Sequence, residues 1–265
     1  MKKTTLALFI VALSGILSYS CNRSQDEAWP GDQDHLIMSV LWFQKSAEMR
    51  ALFLQGYNIA SERLAEAAAV KNGGRPLAVV ADLDETILDN SPYEAWQVHT
   101  GKGFSDDNWK KWTDRGEAKA LPGALEFTIL AESLGVEMFY VSNRAVDDAF
   151  ETTLENLRNL GFPFADSAHL LLKTTTSSKI ERRNRILETH DIILLLGDNL
   201  ADVDVVFESR ERNLGFNDVD SLTSLFGSRY IIFPNPMYGS FERPALVPDE
   251  NITTRQRYMR SLVGY

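Results

Sequence analysis

The feature that most constrains this chain is an alternation, from residue 77 onward, of short apolar runs with helical stretches. Residues 77–81, 136–141, 192–196 and 230–233 are runs of strand length, and helical patterns over 123–134 and 179–189 fall between them. The alternation predicts a parallel sheet, because parallel strands need crossover connections and the crossovers lay helices on the sheet faces. Each of the first three runs is followed at once, or after one glycine, by a small polar or acidic residue: Asp82, Ser142 and Asp198. Ligands of open parallel sheets bind in the crevice outside the carboxyl ends of the strands. Three polar residues leaving three strands at one end therefore predict a single shared site.

The net charge of -10 over 265 residues argues against a nucleic acid polymer as partner, since that surface needs a basic track to displace counterions. It leaves small anions, individually clamped, as the expected ligands. Residues 1–20 read as an export signal: Lys2 and Lys3 precede an apolar stretch over 6–17, and Ser18 and Ser20 precede Cys21. That stretch is shorter than the roughly 20 residues of a membrane-spanning helix. Cys21 is the only cysteine, so no intramolecular disulfide can form. Its place after a signal core resembles the acylation site of a bacterial lipoprotein, although Ser18 stands where a leucine is usual and Leu17 lies one residue further away. Plain secretion with a free thiol is the alternative. Residues 21–34 are polar and read as a tether, which leaves 35–265 as the folded domain.

Two helical patterns occupy residues 35–71 and end at Asn72-Gly73-Gly74-Arg75-Pro76. Between the first and second strands lie about fifty residues, more than one crossover helix needs. The part over 91–120 carries Tyr93, Trp96, Phe104, Trp109 and Trp112. We expect it to form a small, largely helical cap over the site.

Asp82 and Asp84 stand two apart, so in an extended chain their side chains share a face. Paired carboxylates repel when both are ionised and call for a nearby cation or proton. With Asp198 they form an oxygen set free of cysteine and histidine, which suits Mg²⁺. His35, His99, His169 and His190 have no zinc-like spacing and read as surface or capping residues.

Asp82-Leu83-Asp84-Glu85-Thr86 resembles the first motif, D-x-D-x-T, of haloacid dehalogenase (HAD) superfamily phosphatases. Ser142 resembles the second motif, Lys179 the third, and Gly197-Asp198-Asn199-x-x-Asp202 the fourth. The strings DLDETILDNSPYEAWQ, PGALEF, FYVSNR, GDNLAD and FPNPMYGSFE resemble the class C bacterial acid phosphatases, exported lipoproteins that also act as 5′-nucleotidases. The resemblance implies an α/β fold with a Rossmann-like core, a mainly parallel sheet flanked by helices and a small cap. It implies outer-membrane anchoring through Cys21, a homodimer, and small phosphate monoesters, nucleotides among them, as substrates.

The same resemblance assigns roles. Asp82 would be the nucleophile and Asp84 the proton shuttle, with Mg²⁺ held by Asp82, the backbone carbonyl of Asp84 and Asp198. Ser142, Asn143 and Arg144 would bind the phosphoryl oxygens, and Lys179 would neutralise charge on the nucleophile and the transferring group. Asp202 would orient the metal shell, Thr86 would support the loop, and Trp109 and Tyr238 would flank a flat leaving group. Lys173, six residues before Lys179, competes for the lysine role. Two departures stand out: Ser142 replaces a threonine common in relatives, and Val203 replaces a phenylalanine often found there. A phosphotransferase of the same superfamily and a surface lipoprotein that only binds ligands remain as alternatives.

Overall fold

Strand β1 (Leu77–Ala81) takes the central place in a five-stranded parallel sheet. Its neighbours are β4 (Glu137–Ala145) on one side and β6 (Asp191–Gly197) on the other. Strand β5 (Leu170–Lys173) completes the edge beside β4, and β7 (Tyr230–Ile232) the edge beside β6. All five residues of β1 are buried and they alternate between two cores. Leu77, Val79 and Ala81 join one apolar cluster, while Ala78 and Val80 join the other. That is the period of two expected of a strand covered on both faces. The sequence pattern located four of these strands; β5, four residues long, was not among them.

This computed structural model describes residue 31 and residues 33–70, 73–210, 213–246 and 252–264. The signal at 1–20, Cys21 and nearly all of the tether lie outside the described residues. Among those described, no helix is long and apolar enough to cross a membrane.

The larger core lies under α1 (Ile37–Lys45), α2 (Ala47–Val70) and α5 (Ala124–Ser133). From α2, Phe53 stacks on Phe233 at 5.0 Å between ring centroids, and Tyr57 meets the same ring at 4.5 Å. Phe233 immediately follows β7, so these rings anchor the loop that carries Asn235 and Tyr238 into the site. On the other face lie α7 (Ile180–Thr189) and the short α8 (Leu200–Val203), contributing Ile186 and Val203.

The insertion after β1 forms a small cap. A two-stranded antiparallel pair, β2 (Leu88–Asp89) with β3 (Lys119–Ala120), closes its base. Helices α3 (Ser91–Thr100) and α4 (Asp106–Thr113) rise from that base. Pro92 in the first turn of α3 favours helix entry, and Gly101 ends it at φ 69 in the left-handed region. For α4, Ser105 accepts the N–H of Asn108 at 3.2 Å, with Asp106 and Asp107 at the positive end of the helix dipole. Base and helices together run from Leu88 to Ala120.

Candidate active site

Asp82 leaves the end of β1 with its N–H on the carbonyl of Leu196 at 2.9 Å, so its backbone is still tied to β6. Lys179, the residue before α7, hydrogen-bonds one oxygen of Asp82 and lies 2.7 Å from Asp202 Oδ1. Asp202 is fixed by a capping box at the start of α8, where its Oδ2 accepts the N–H of Asn199 at 3.0 Å. Gly197 makes room for this turn: a Cβ there would lie 2.5 Å from Asp202 Oδ2. Asp198, the residue after it, accepts a hydrogen bond from Asn235 Nδ2 at 2.8 Å.

Oxygens of Asp82, Asp198 and Asp202 lie within 4.8 Å of one another. Burial pushes the Asp82 carboxyl up to about 7 against the pull of Lys179, with Asp202 and Asp84 adding to the rise. Burial likewise raises Asp198 well above the usual carboxylate range, helped by Asp202 and Asp82. Lys179 is raised despite burial, because Asp202 and Asp82 favour its charged form. One ammonium among three crowded carboxylates leaves negative charge uncompensated. An all-oxygen donor set with that excess fits a hard divalent cation.

Asp84 is held by other partners. Arg144, buried at the end of β4, donates to its Oδ1 through Nη2 at 2.8 Å and Nε at 3.0 Å. Ser142 donates its hydroxyl to Asp84 Oδ2 at 3.1 Å, and Asn90 Nδ2 donates to Oδ1 at 2.8 Å. Asn90 in turn accepts from Trp112 Nε1 at 2.8 Å, which links the proton-shuttle candidate to the cap. Behind Ser142, Arg182 donates to its carbonyl at 2.5 Å and to Asn143 Oδ1 at 2.7 Å.

These groups open into a cavity of about 690 Å³ whose lining includes Asp82, Asp84, Asn143, Arg144, Lys173, Lys179 and Asp198. Trp109 and Tyr238 line the same cavity. Trp109 stands edge-on to Tyr93 at 5.1 Å, with the Arg144 guanidinium 5.8 Å from its ring centre. The hydroxyl of Tyr238 donates to Glu85 Oε2, while Glu85 Oε1 accepts the N–H of Asn90 at 2.8 Å. Glu85 has φ 60, unusual for a residue with a side chain, and this turns the chain sharply after Asp84.

The family model described as HAD superfamily, subfamily IIIB (Acid phosphatase) matches residues 22–241. The chain belongs to this acid phosphatase family. Two solved structures of the class C acid phosphatase from Bacillus anthracis, one with tungstate bound, are each 38% identical to it. The tungstate-bound structure superposes with a TM-score of 0.82 over 88% of this chain and 98% of that one. The other superposes with a TM-score of 0.79 over 88% of this chain and 99% of that one. Acid phosphatase 1 of Solanum lycopersicum is 29% identical over 198 residues, covering 69% of each protein. A stem 31 kDa glycoprotein of Glycine max is 27% identical over 162 residues, 59% of this chain and 57% of its own length. Family and neighbours together make this acid phosphatase a phosphomonoesterase.

The phosphatase site differs from the sequence reading in several details. Ser142 lies within β4, which runs on to Ala145, rather than just beyond a strand. Asp82 and Asp84 are engaged by different cations, Lys179 and Arg144. Lys179 precedes its helix instead of lying on a helix face, and is 4% exposed, whereas Lys173 lines the cavity without touching Asp82. Thr86 is fully buried and lends its carbonyl to the Tyr57 hydroxyl at 2.6 Å. The histidines are not all simple surface residues. His169 and His190 converge on Glu137 Oε2 at 3.1 and 3.0 Å, and His35 stacks on Tyr258 beside the cavity. Asn90, Arg182 and Asn235 carried no assigned role, although Asn90 and Asn235 fall inside the family-like strings.

Proposed function

We propose that this acid phosphatase hydrolyses small phosphate monoesters, nucleoside 5′-monophosphates among them, through a phosphorylated Asp82. The observation that carries the reading is the division of labour at the end of β1, where Asp82 contacts Lys179 and Asp84 is clamped by Arg144 and Ser142. An Oδ of Asp82 forms the bond to phosphorus as the bond from phosphorus to the leaving oxygen breaks. Asp84 delivers its proton to that oxygen. Water then attacks phosphorus, gives a proton back to Asp84, and the bond to Asp82 breaks. Lys179 offsets charge on Asp82 and on the transferring group, and the Ser142 hydroxyl can turn from Asp84 to a phosphoryl oxygen. The tetrahedral oxyanion bound by the Bacillus anthracis relative supports an oxyanion site of this kind.

Asp82 and Asp198, with the backbone carbonyl of Asp84, would hold Mg²⁺, and Asp202 would steady that set through Lys179 and the turn at Asn199. The ion would supply charge neutralisation at the phosphoryl oxygens. Trp109 and Tyr238 share the cavity with the reacting groups and would flank a flat leaving group. Export, anchoring through an acylated Cys21 and dimerisation belong to the same reading and rest on the sequence and the family resemblance.

The test is turnover by protein beginning at residue 22, on a panel of aryl phosphates and nucleoside monophosphates. We expect hydrolysis of both classes, loss on chelation with EDTA and recovery with Mg²⁺. Indifference to EDTA would contradict the metal assignment, and a panel on which only aryl phosphates react would contradict the nucleotide assignment. Processing blocked by globomycin would support lipidation; unchanged processing would contradict it.

A further inference from the structure

The cavity has a wall that the phosphoryl chemistry does not use. Once phosphorus sits at Asp82, the leaving group must extend into the cavity, so whatever lines the remaining wall meets it. Glu94 lies there, on the cap helix α3, and is 5% exposed. Its Oε2 accepts from Gln97 Nε2 at 2.5 Å, and its Oε1 receives no hydrogen bond among the described residues. Glu94 has no basic partner among them either. A carboxylate so enclosed ordinarily has a cation or several donors to satisfy it. Here the open side of the group faces the cavity.

Two further features point the same way. Glu242, whose Oε2 accepts the Tyr258 hydroxyl at 2.9 Å, lines the same cavity and adds a second negative charge acting on Glu94. Phe104, Trp109 and Tyr238 line that space, and aromatic rings favour cations as well as flat groups. Burial, and after it the charge of Glu242, push the Glu94 carboxyl up to about 7. A bound cation would reverse that penalty.

We propose that Glu94 is a specificity-determining residue that selects phosphate monoesters whose leaving group carries a protonated amine. The inference rests on the reading above that the leaving group occupies this cavity. A charge-assisted hydrogen bond to an enclosed carboxylate gives about tenfold discrimination or more.

The test separates recognition from turnover. Isothermal titration calorimetry on the Mg²⁺-supplemented protein compares ω-aminoalkylphosphonates of two to six carbons with alkylphosphonates of the same length. At the length that reaches Glu94, we expect the amine to bind about tenfold tighter. Glu94→Gln should bring that ratio to about one, and Glu94→Asp should retain it with the optimum moved to a longer chain. Because each ratio is taken within one variant, a general loss of affinity cancels, and Glu94→Asp decides the matter if Glu94→Gln does not fold. A ratio near one at every length in the native protein, or an unchanged ratio in Glu94→Gln, would overturn the proposal. Phenyl phosphate hydrolysis on the same preparation reads the catalytic assignment separately. Turnover without amine preference removes only the role of Glu94, and amine preference without turnover removes only the hydrolytic reading.

Discussion

Arg144 and Asp84, 60 residues apart in the chain, are joined by three hydrogen bonds from one guanidinium, at 2.8, 3.0 and 3.3 Å. Arg144 also donates to Thr153 Oγ1 at 3.0 Å, on the helix that follows β4, and to Asn90 Oδ1 at 3.3 Å, at the base of the cap, so the guanidinium is itself held from both. Asp84 is thereby oriented by β4, while Asp82 is oriented by the turn before α7. Two acids two residues apart receive different environments, and that difference permits different roles.

Arg144→Ala should lower kcat/KM for phenyl phosphate by about 100-fold, the scale of a misplaced general acid or base. The loss should be smaller for 4-nitrophenyl phosphate, whose leaving group needs little protonation. Equal losses on the two esters would show that Arg144 serves phosphoryl binding rather than Asp84.

Lys179→Met should be costly in two ways. It leaves Asp82 and Asp202 buried without their cation, and breaking a buried ion pair from one side costs about 3–5 kcal/mol of stability. Urea unfolding reads that loss in the metal-free protein, and added Mg²⁺ should recover part of it by binding the native state. A variant as stable as the native protein would contradict the buried-pair geometry.

Gly197→Ala places a Cβ against Asp202, whose Cγ would lie 2.8 Å away. The turn at Asn199 must shift and carry Asp198 and Asp202 with it. We expect weaker Mg²⁺ activation, seen as a higher metal concentration for half-maximal turnover. An unchanged metal dependence would mean that the fourth motif does not position the metal.

At the opposite, amino-terminal end of the strands, Glu137 Oε2 lies 3.1 and 3.0 Å from ring nitrogens of His169 and His190, and Phe139 lies between the two imidazoles at 4.9 and 5.0 Å. Burial opposes ionisation of Glu137, but the two histidines outweigh it and hold its carboxyl below the usual value of 4.5. An acid whose folded pKa is lowered contributes stability above its unfolded pKa, and that stability is lost as pH falls through the folded value. Glu137→Gln should therefore lower Tm at pH 6, and the gap to the native protein should narrow toward pH 3. A gap that stays constant with pH would contradict the ionic role of Glu137.

Much of this was legible because strand-length apolar runs followed by polar residues carry both fold and site. Asp82, Ser142 and Asp198 were found that way, and the aromatic insertion marked the cap. The edge strand β5 escaped because four residues do not distinguish a strand from a short helical turn. Arg182 escaped because an arginine in a helical pattern reads as a solvated face, and only the fold turns it toward β4. The convergence of His169 and His190 on Glu137 joins three distant segments, so no spacing reveals it. Glu94 also looked ordinary beside Pro92 and Tyr93, since its enclosure depends on segments from the far end of the chain.

The most direct measurement of the covalent role assigned to Asp82 is the stereochemistry of phosphoryl transfer. An aryl phosphate made chiral at phosphorus with oxygen isotopes is the donor, and a simple alcohol is the acceptor in place of water. Two successive in-line displacements, first by Asp82 and then by the acceptor, predict net retention of configuration. Inversion would mean a single direct displacement and would contradict the covalent role of Asp82.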